Sequence, residues 1–105
     1  MILEKPPVDE VVRTIVDKLR PNRIIVFGSY ARGDAGPDSD LDLMVEMESD
    51  LPLPERAMRI DDLFAERGWA LDVWVYTPEE VRRGRSNIGS LVSIIESEGQ
   101  VVYER

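Results

Sequence analysis

The apolar positions of this chain change period several times, and each change marks an element. Val8, Val11, Val12, Ile15, Val16 and Leu19 fall at i, i+3, i+4, i+7, i+8 and i+11, which is one face of an α-helix. Pro6-Pro7 suits the entrance to that helix, and Pro21 ends it. Arg23-Ile24-Ile25-Val26-Phe27 then runs apolar and β-branched without alternation, as a buried strand does. Gly28-Ser29 closes the strand. Tyr30 to Arg32 leaves room for about one helical turn, and Gly33 to Ser39 is dense in turn formers and reads as a loop.

The second half alternates more cleanly. Leu41, Leu43, Val45 and Met47 share one face of a strand whose other face carries Asp40, Asp42, Met44 and Glu46. Pro52 and Pro54 lead into a helix with Ala57, Ile60, Leu63 and Phe64 on its buried side and Gly68 at its end. Leu71, Val73 and Val75 then oppose Asp72, Trp74 and Tyr76 on a third strand. Thr77-Pro78-Glu79-Glu80 has the N-cap, proline and early acids of a helix start. Ile88, Leu91, Val92 and Ile95 predict a last helix closing near Gly99, and Val101-Val102-Tyr103 a final short strand. The order predicts one α/β (α+β) domain over residues 1–105, a small mixed β-sheet with helices packed on one face.

Composition narrows the chemistry. The 105 residues include no cysteine and no histidine, which excludes disulfides, thiolate zinc sites and every histidine-based catalytic arrangement. A bound metal would need oxygen ligands, pointing to Mg²⁺, Mn²⁺ or Ca²⁺. Twenty-one acids against thirteen bases give −8, which argues against direct nucleic-acid or anionic-membrane binding and favours cationic partners. Met1 to Pro7 lacks the basic-then-apolar order of a signal peptide, and no apolar run approaches the length of a membrane span, so a cytoplasmic protein is expected.

The alternation aims Asp40 and Asp42 off one strand face and Asp72 off another. If the two strands are neighbours, three carboxylates converge. Two unit charges ~4 Å apart repel by about 4 kcal/mol at an effective dielectric of about 20, so such a cluster takes up protons or binds a cation. Three carboxylates suit one or two Mg²⁺ ions with positions left for phosphate oxygens; equally, acids on half-exposed strands can simply face water. Gly28-Ser29, between a buried strand and a helix start, offers backbone N–H groups and a hydroxyl to a phosphate.

Gly28-Ser29, ten intervening residues and Asp40-Leu41-Asp42 resemble the G-S-(x)10-D-x-D signature of the nucleotidyltransferase superfamily related to DNA polymerase β. The stretch GSYARGDAGPDSDLDLMV is similar to its minimal nucleotidyltransferase branch, and Asp72 in LDVWVYTPEEV matches the third carboxylate in order and setting. The resemblance runs from the first helix to about Val81, without a counterpart of the helical C-terminal domain that larger members use to bind substrate. It implies that Asp40, Asp42 and Asp72 are catalytic and hold two Mg²⁺ ions, that Gly28 and Ser29 bind the β- and γ-phosphates of ATP, and that AMP passes to a hydroxyl. It also implies a partner. Minimal nucleotidyltransferases of this kind act as antitoxins toward HEPN-domain toxins, small helical ribonucleases, by attaching AMP to a toxin tyrosine. Two other readings remain open at this stage, a binding module that neutralises its partner without turnover and the catalytic subunit of a two-chain enzyme acting on a small molecule.

Other residues carry two readings each. Arg32 either contacts a phosphate from the short helix or pairs in solvent with Asp34 or Asp38. Trp74 and Tyr76, on the acidic face of their strand, either flank the acceptor or pack under a helix. Arg82-Arg83-Gly84-Arg85 is a solvated face or a docking patch. Met44 and Met47 read as packing residues.

Overall fold

The computed structural model describes residues 5–105. The first four, part of the N-terminal stretch without a signal-peptide pattern, lie outside the described residues. The elements follow the predicted order: α1 (Val8–Leu19), β1 (Arg23–Phe27), α2 (Ser29–Arg32), β2 (Leu41–Glu46), α3 (Leu53–Leu63), β3 (Leu71–Tyr76), α4 (Pro78–Arg85), α5 (Leu91–Glu98) and β4 (Gln100–Glu104). The sheet runs β3-β2-β1-β4. β1 is antiparallel to both its neighbours, and β2 and β3 are parallel. A parallel pair needs a crossover, and the segment containing α3 supplies it.

Local chemistry sets the element ends. α1 stops at Arg20, which turns left-handed (φ 48°) and donates its N–H to the Val16 carbonyl just before Pro21. Thr77 and Glu80 form a reciprocal capping box at the head of α4. α3 ends at Leu63, earlier than Gly68 predicts. The Arg67 guanidinium donates to the carbonyls of Asp61, Phe64 and Trp69 and so closes the turn that glycine was expected to make.

The mixed sheet and its helices are as expected, but the helices do not all share one face. Val11 and Ile15 of α1 and Ile60 of α3 pack on Ile24, Val26, Leu41, Leu43, Val45, Val73 and Val75. On the opposite face Val81 of α4 and Val92 and Ile95 of α5 cover Ile25 and Met44, with Phe27 and Tyr76 at the margin. The unbroken apolar run of β1 is the physical reason: a strand apolar on both faces must be covered on both. Ile88 is a second correction. It lies in the turn before α5 and is 96% exposed, because Ser90 accepts from the Ser93 N–H and the helix starts only at Leu91, three residues later.

The pairing registers arrange the α4–α5 face into three rows. Phe27, Asp42 and Asp72 lie side by side across β1, β2 and β3; below them come Ile25, Met44 and Trp74, then Arg23, Glu46 and Tyr76. Ile25 and Met44 of the middle row are the floor of the second core. In the lowest row Arg23 bonds Glu46 at 3.0 Å and Glu96 of α5 at 2.6 Å, and Glu96 also accepts from Arg85 of α4, so ion pairs tie both helices to the sheet. The top row sets the two carboxylates beside the Phe27 ring.

Candidate active site

Three carboxylates meet at that top row. Asp42 and Asp72 stand opposite each other in the parallel β2–β3 pair, and Asp40 immediately precedes β2. One carboxylate oxygen from each of Asp40, Asp42 and Asp72 lies within 4.8 Å of the other two. The convergence that the sequence left conditional on neighbouring strands is therefore met. The donors are all hard anionic oxygens, at a spacing one ion can span, and that set fits Mg²⁺ or Mn²⁺ and not a soft-metal site.

Their electrostatics fit a cation too. The Asp42 carboxyl is raised to about 6 from an ordinary 3.8, first by burial and then by the charges of Asp72 and Asp40, with the Arg32 guanidinium pulling against them. Asp72 is raised as well, first by burial and then by Asp40 and Asp61. Asp61, on α3, is a further acid whose field reaches the cluster, and nothing in its sequence position announces that.

The burial of Asp42 has identifiable sources. Phe27 is its direct partner across the antiparallel β1–β2 pair, on the same face, and the Phe27 ring reaches Trp74 on β3 (centroids 5.4 Å apart, planes at 57°). The two rings cross over β2 between the carboxylates and the second core. On its other side the Asp42 carboxylate meets Gly28: a Cβ at position 28 would overlap the Asp42 Oδ2. Gly28 also has φ 72° and ψ −151°, a conformation open in practice only to glycine. Both constraints require glycine at the end of β1.

After Gly28 the chain turns into α2, whose first internal bond runs from the Ala31 N–H to the Gly28 carbonyl at 3.1 Å. The N–H groups of Ser29 and Tyr30 precede that bond, at the corner beside Asp42. Gly28 and Ser29 thus stand next to the carboxylates, as expected. Arg32 ends α2 and forms an exposed ion pair with Asp34 at 3.2 Å, and its charge is felt at Asp42. Tyr30 packs against the first core. Tyr76 packs under the second, whereas Trp74 is half-buried at the sheet edge. Met44 is fully buried and Met47 partly so, both as packing residues. Arg85 is engaged by Glu96, while Arg82 and Arg83 are exposed. The role of Phe27 is not visible in its strand pattern, because only the register puts it beside Asp42. No helix among the described residues is long and apolar enough to cross a membrane.

Residues 8–102 match the family described as "Nucleotidyltransferase domain". A candidate protein adenylyltransferase of Methanocaldococcus jannaschii is 44% identical over 36 residues, a stretch that spans 34% of this chain and 36% of that protein. Among solved structures, a candidate nucleotidyltransferase from Sulfolobus solfataricus is similar over 93% of this chain and 78% of that one, with a TM-score of 0.65 at 20% identity. The toxin–antitoxin complex MntA–HpeT contains a chain similar over 96% of this one and 75% of its own length, with a TM-score of 0.67 at 19% identity. A candidate minimal nucleotidyltransferase is 26% identical and covers 89% of both chains, with a TM-score of 0.54. At 19–20% identity the first two of these structures show a common fold.

Proposed function

The chain belongs to the nucleotidyltransferase domain family, and from that premise we propose that it transfers AMP from ATP to a hydroxyl of a partner protein. The partner in this reading is a HEPN-domain toxin, the acceptor a tyrosine, and the consequence antitoxin activity. One observation carries the proposal, the meeting of Asp40, Asp42 and Asp72 within 4.8 Å beside the Gly28-Ser29 corner. A solvated acidic face has no use for a glycine corner against one of its carboxylates, whereas phosphoryl-group chemistry uses both.

Each residue has a role in this reading. Asp40, Asp42 and Asp72 would hold two Mg²⁺ ions, which when bound neutralise the triphosphate and make the acceptor hydroxyl more acidic. The N–H groups of Ser29 and Tyr30 and the Ser29 hydroxyl bind the β- and γ-phosphates. Arg32, a few residues on, leaves Asp34 to meet a phosphate oxygen. Asp72, at the exposed side of the cluster, accepts the proton of the attacking hydroxyl. The hydroxyl oxygen bonds to the α-phosphorus, the bond from that phosphorus to the bridging oxygen breaks, and pyrophosphate leaves. None of these steps needs histidine or cysteine.

The likeness to a candidate protein adenylyltransferase and to a chain of a toxin–antitoxin complex supports a protein acceptor and a partner. The decisive test is co-expression with the product of the neighbouring gene, followed by intact-mass measurement. Added mass in AMP units with the wild type, and none with Asp40→Asn/Asp42→Asn, is the expected result. A stable complex with unaltered mass in both cases would instead favour neutralisation by binding alone.

A further inference from the structure

α5 is apolar on two flanks, and only one of them is covered. Val92 and Ile95 enter the second core, Val92 against Gly84 of α4, and Glu96 beside them binds Arg85 of α4. Leu91 and Ile94 project from the other flank, away from α4, and are 39% and 43% exposed. The sheet order β3-β2-β1-β4 places β4 on that side, and Val101, which pairs with Ile25 and so shares its face, is 52% exposed. The opposite face of β4 is apolar too. A register shift between Ile24 and Ile25 makes Val102 an extra residue of the strand, and Val102 and Tyr103 line a groove of about 350 Å³ with Val12 and Val16 of α1. β4 is an edge strand, with no further strand paired to it among the described residues. Four of the seven large apolar side chains left exposed among those residues therefore gather at one sheet edge, the kind of patch that marks an interaction surface.

Charge selects the occupant. Asp9, Arg13 and Asp17 of α1 follow one another along the groove at four-residue spacing, so their signs alternate. A row of one sign would draw a partner of the other sign, as the net −8 of the chain does in general. An alternating row instead matches its own reverse: offset by about one turn, each Arg13 lies between two acids of the facing row. The strand is likewise compatible with its own reverse. In an antiparallel arrangement centred on Val102, Glu104 faces Gln100 and Val101 faces Tyr103, with no like charges opposed. We infer that the β4 edge is a self-association surface, on which a second copy of this chain packs about a two-fold axis near Val102. The bulge interrupts the outer row of backbone groups, so side chains carry the contact: Leu91, Ile94 and Val101 of each copy cover those of the other, and the two α1 rows interlock. Stable interfaces bury about 800 Å² per partner, and four part-exposed side chains supply less, so the dimer is weak, with a Kd of about 10–100 µM. The edge is two strands from Asp42, and the inference does not depend on the transfer reading.

The test is sedimentation equilibrium of the full chain from about 5 to about 500 µM, in a chelator so that no ion bridges two acidic clusters. The average mass should rise from that of one chain toward that of two, with the midpoint at about 10–100 µM. Leu91→Gln/Ile94→Gln and, separately, Val101→Gln should each weaken association at least about tenfold while leaving the circular dichroism spectrum unchanged. Leu53→Gln/Met58→Gln, which alters exposed apolar side chains of α3, is the control and should associate like the wild type. Arg13→Glu alone and Asp9→Lys/Asp17→Lys alone should each weaken association, and an equimolar mixture of the two should restore it. A single-chain mass across the whole range would overturn the inference, as would a dimer that survives both edge variants or is lost in the control. Failure of the mixture to associate would overturn the two-fold arrangement. A chain that is monomeric alone, binds the product of the neighbouring gene and loses that binding in Leu91→Gln/Ile94→Gln would overturn the second copy in favour of an unlike partner.

Discussion

The carboxylate of Asp42 occupies the space that a side chain at Gly28 would fill. This contact joins the end of β1 to the start of β2 at the top row of the sheet, so the Gly28-Ser29 corner and the carboxylate cluster cannot shift independently. Gly28→Ala would push Asp42 away from Asp40 and Asp72, and would force a non-glycine residue to φ 72°, at a cost of about 1–3 kcal/mol. Transfer should fall by at least about a hundredfold. Gly33→Ala serves as the control. It is also left-handed, at φ 82°, but has open space where its Cβ would go, so it should lose stability and retain transfer. Equal activity losses in the two variants would disprove the coupling.

Asp42 also sets a conflict between stability and function. The folded chain without metal holds the Asp42 proton up to about 6, whereas the unfolded chain releases it at about 3.8. Between those values the folded state binds more protons, so stability falls as pH rises from about 4 to about 6 and stays reduced above that. Asp42→Asn removes this penalty. In a chelator, the variant should melt above the wild type at about pH 7.5 and close to it at about pH 4, while transfer is abolished. Calorimetric scans at the two pH values check the sign, and a variant that melts below the wild type at neutral pH would contradict it.

Much of this site was legible in the sequence because strand alternation is a strict rule. Period two put Asp40, Asp42 and Asp72 on definite faces, and the turn residues after β1 put Gly28-Ser29 at a strand end. Three things were not legible. Which strands are neighbours, and in what register, depends on packing, so the meeting of Asp42 with Asp72 and with Phe27 was conditional. The field of Asp61 at Asp72 comes through a helix whose placement no local pattern encodes. Ile88 misled for a different reason, since its spacing from Leu91, Val92 and Ile95 fits a helical face. The Ser90 hydroxyl, by capping Ser93, outweighs one exposed isoleucine. The cover on both sheet faces was in principle readable, from Ile24-Ile25-Val26-Phe27.

Gly84 is required by packing, not by conformation. It lies in the last turn of α4, where a Cβ would come within 2.6 Å of the Val92 Cβ and 2.9 Å of its Cγ2. Glycine in a helix interior costs about 1 kcal/mol relative to alanine, so Gly84→Ala gains that much in propensity. Overpacking against a β-branched neighbour costs about 1–3 kcal/mol and should outweigh it. The expected result is a melting temperature several degrees lower, recovered in Gly84→Ala/Val92→Ala. Recovery in the double variant is the informative part, because it separates a clash from loss of the capping network.

Metal affinity should follow the Asp42 proton. A divalent ion at Asp40, Asp42 and Asp72 needs all three ionised, and Asp42, held up to about 6 first by burial and then by its acidic neighbours, is a carboxylate that the ion must deprotonate. Above about pH 7 that proton is already gone, so Mn²⁺ affinity should be nearly level. Below about pH 6 each bound ion displaces one proton, and affinity should fall about tenfold per pH unit. The raised Asp72 steepens the fall at the acid end of the range. Mn²⁺ titration by calorimetry in two buffers of different ionisation enthalpy reads both the affinity and the proton released. Proton release of about three-quarters of a proton at about pH 5.5 and close to zero at about pH 7.5 is expected. Release that does not change across this range would mean that the ion binds elsewhere, and Asp42→Asn, which should remove most of the pH-dependent component and leave only the share of Asp72, identifies the group concerned.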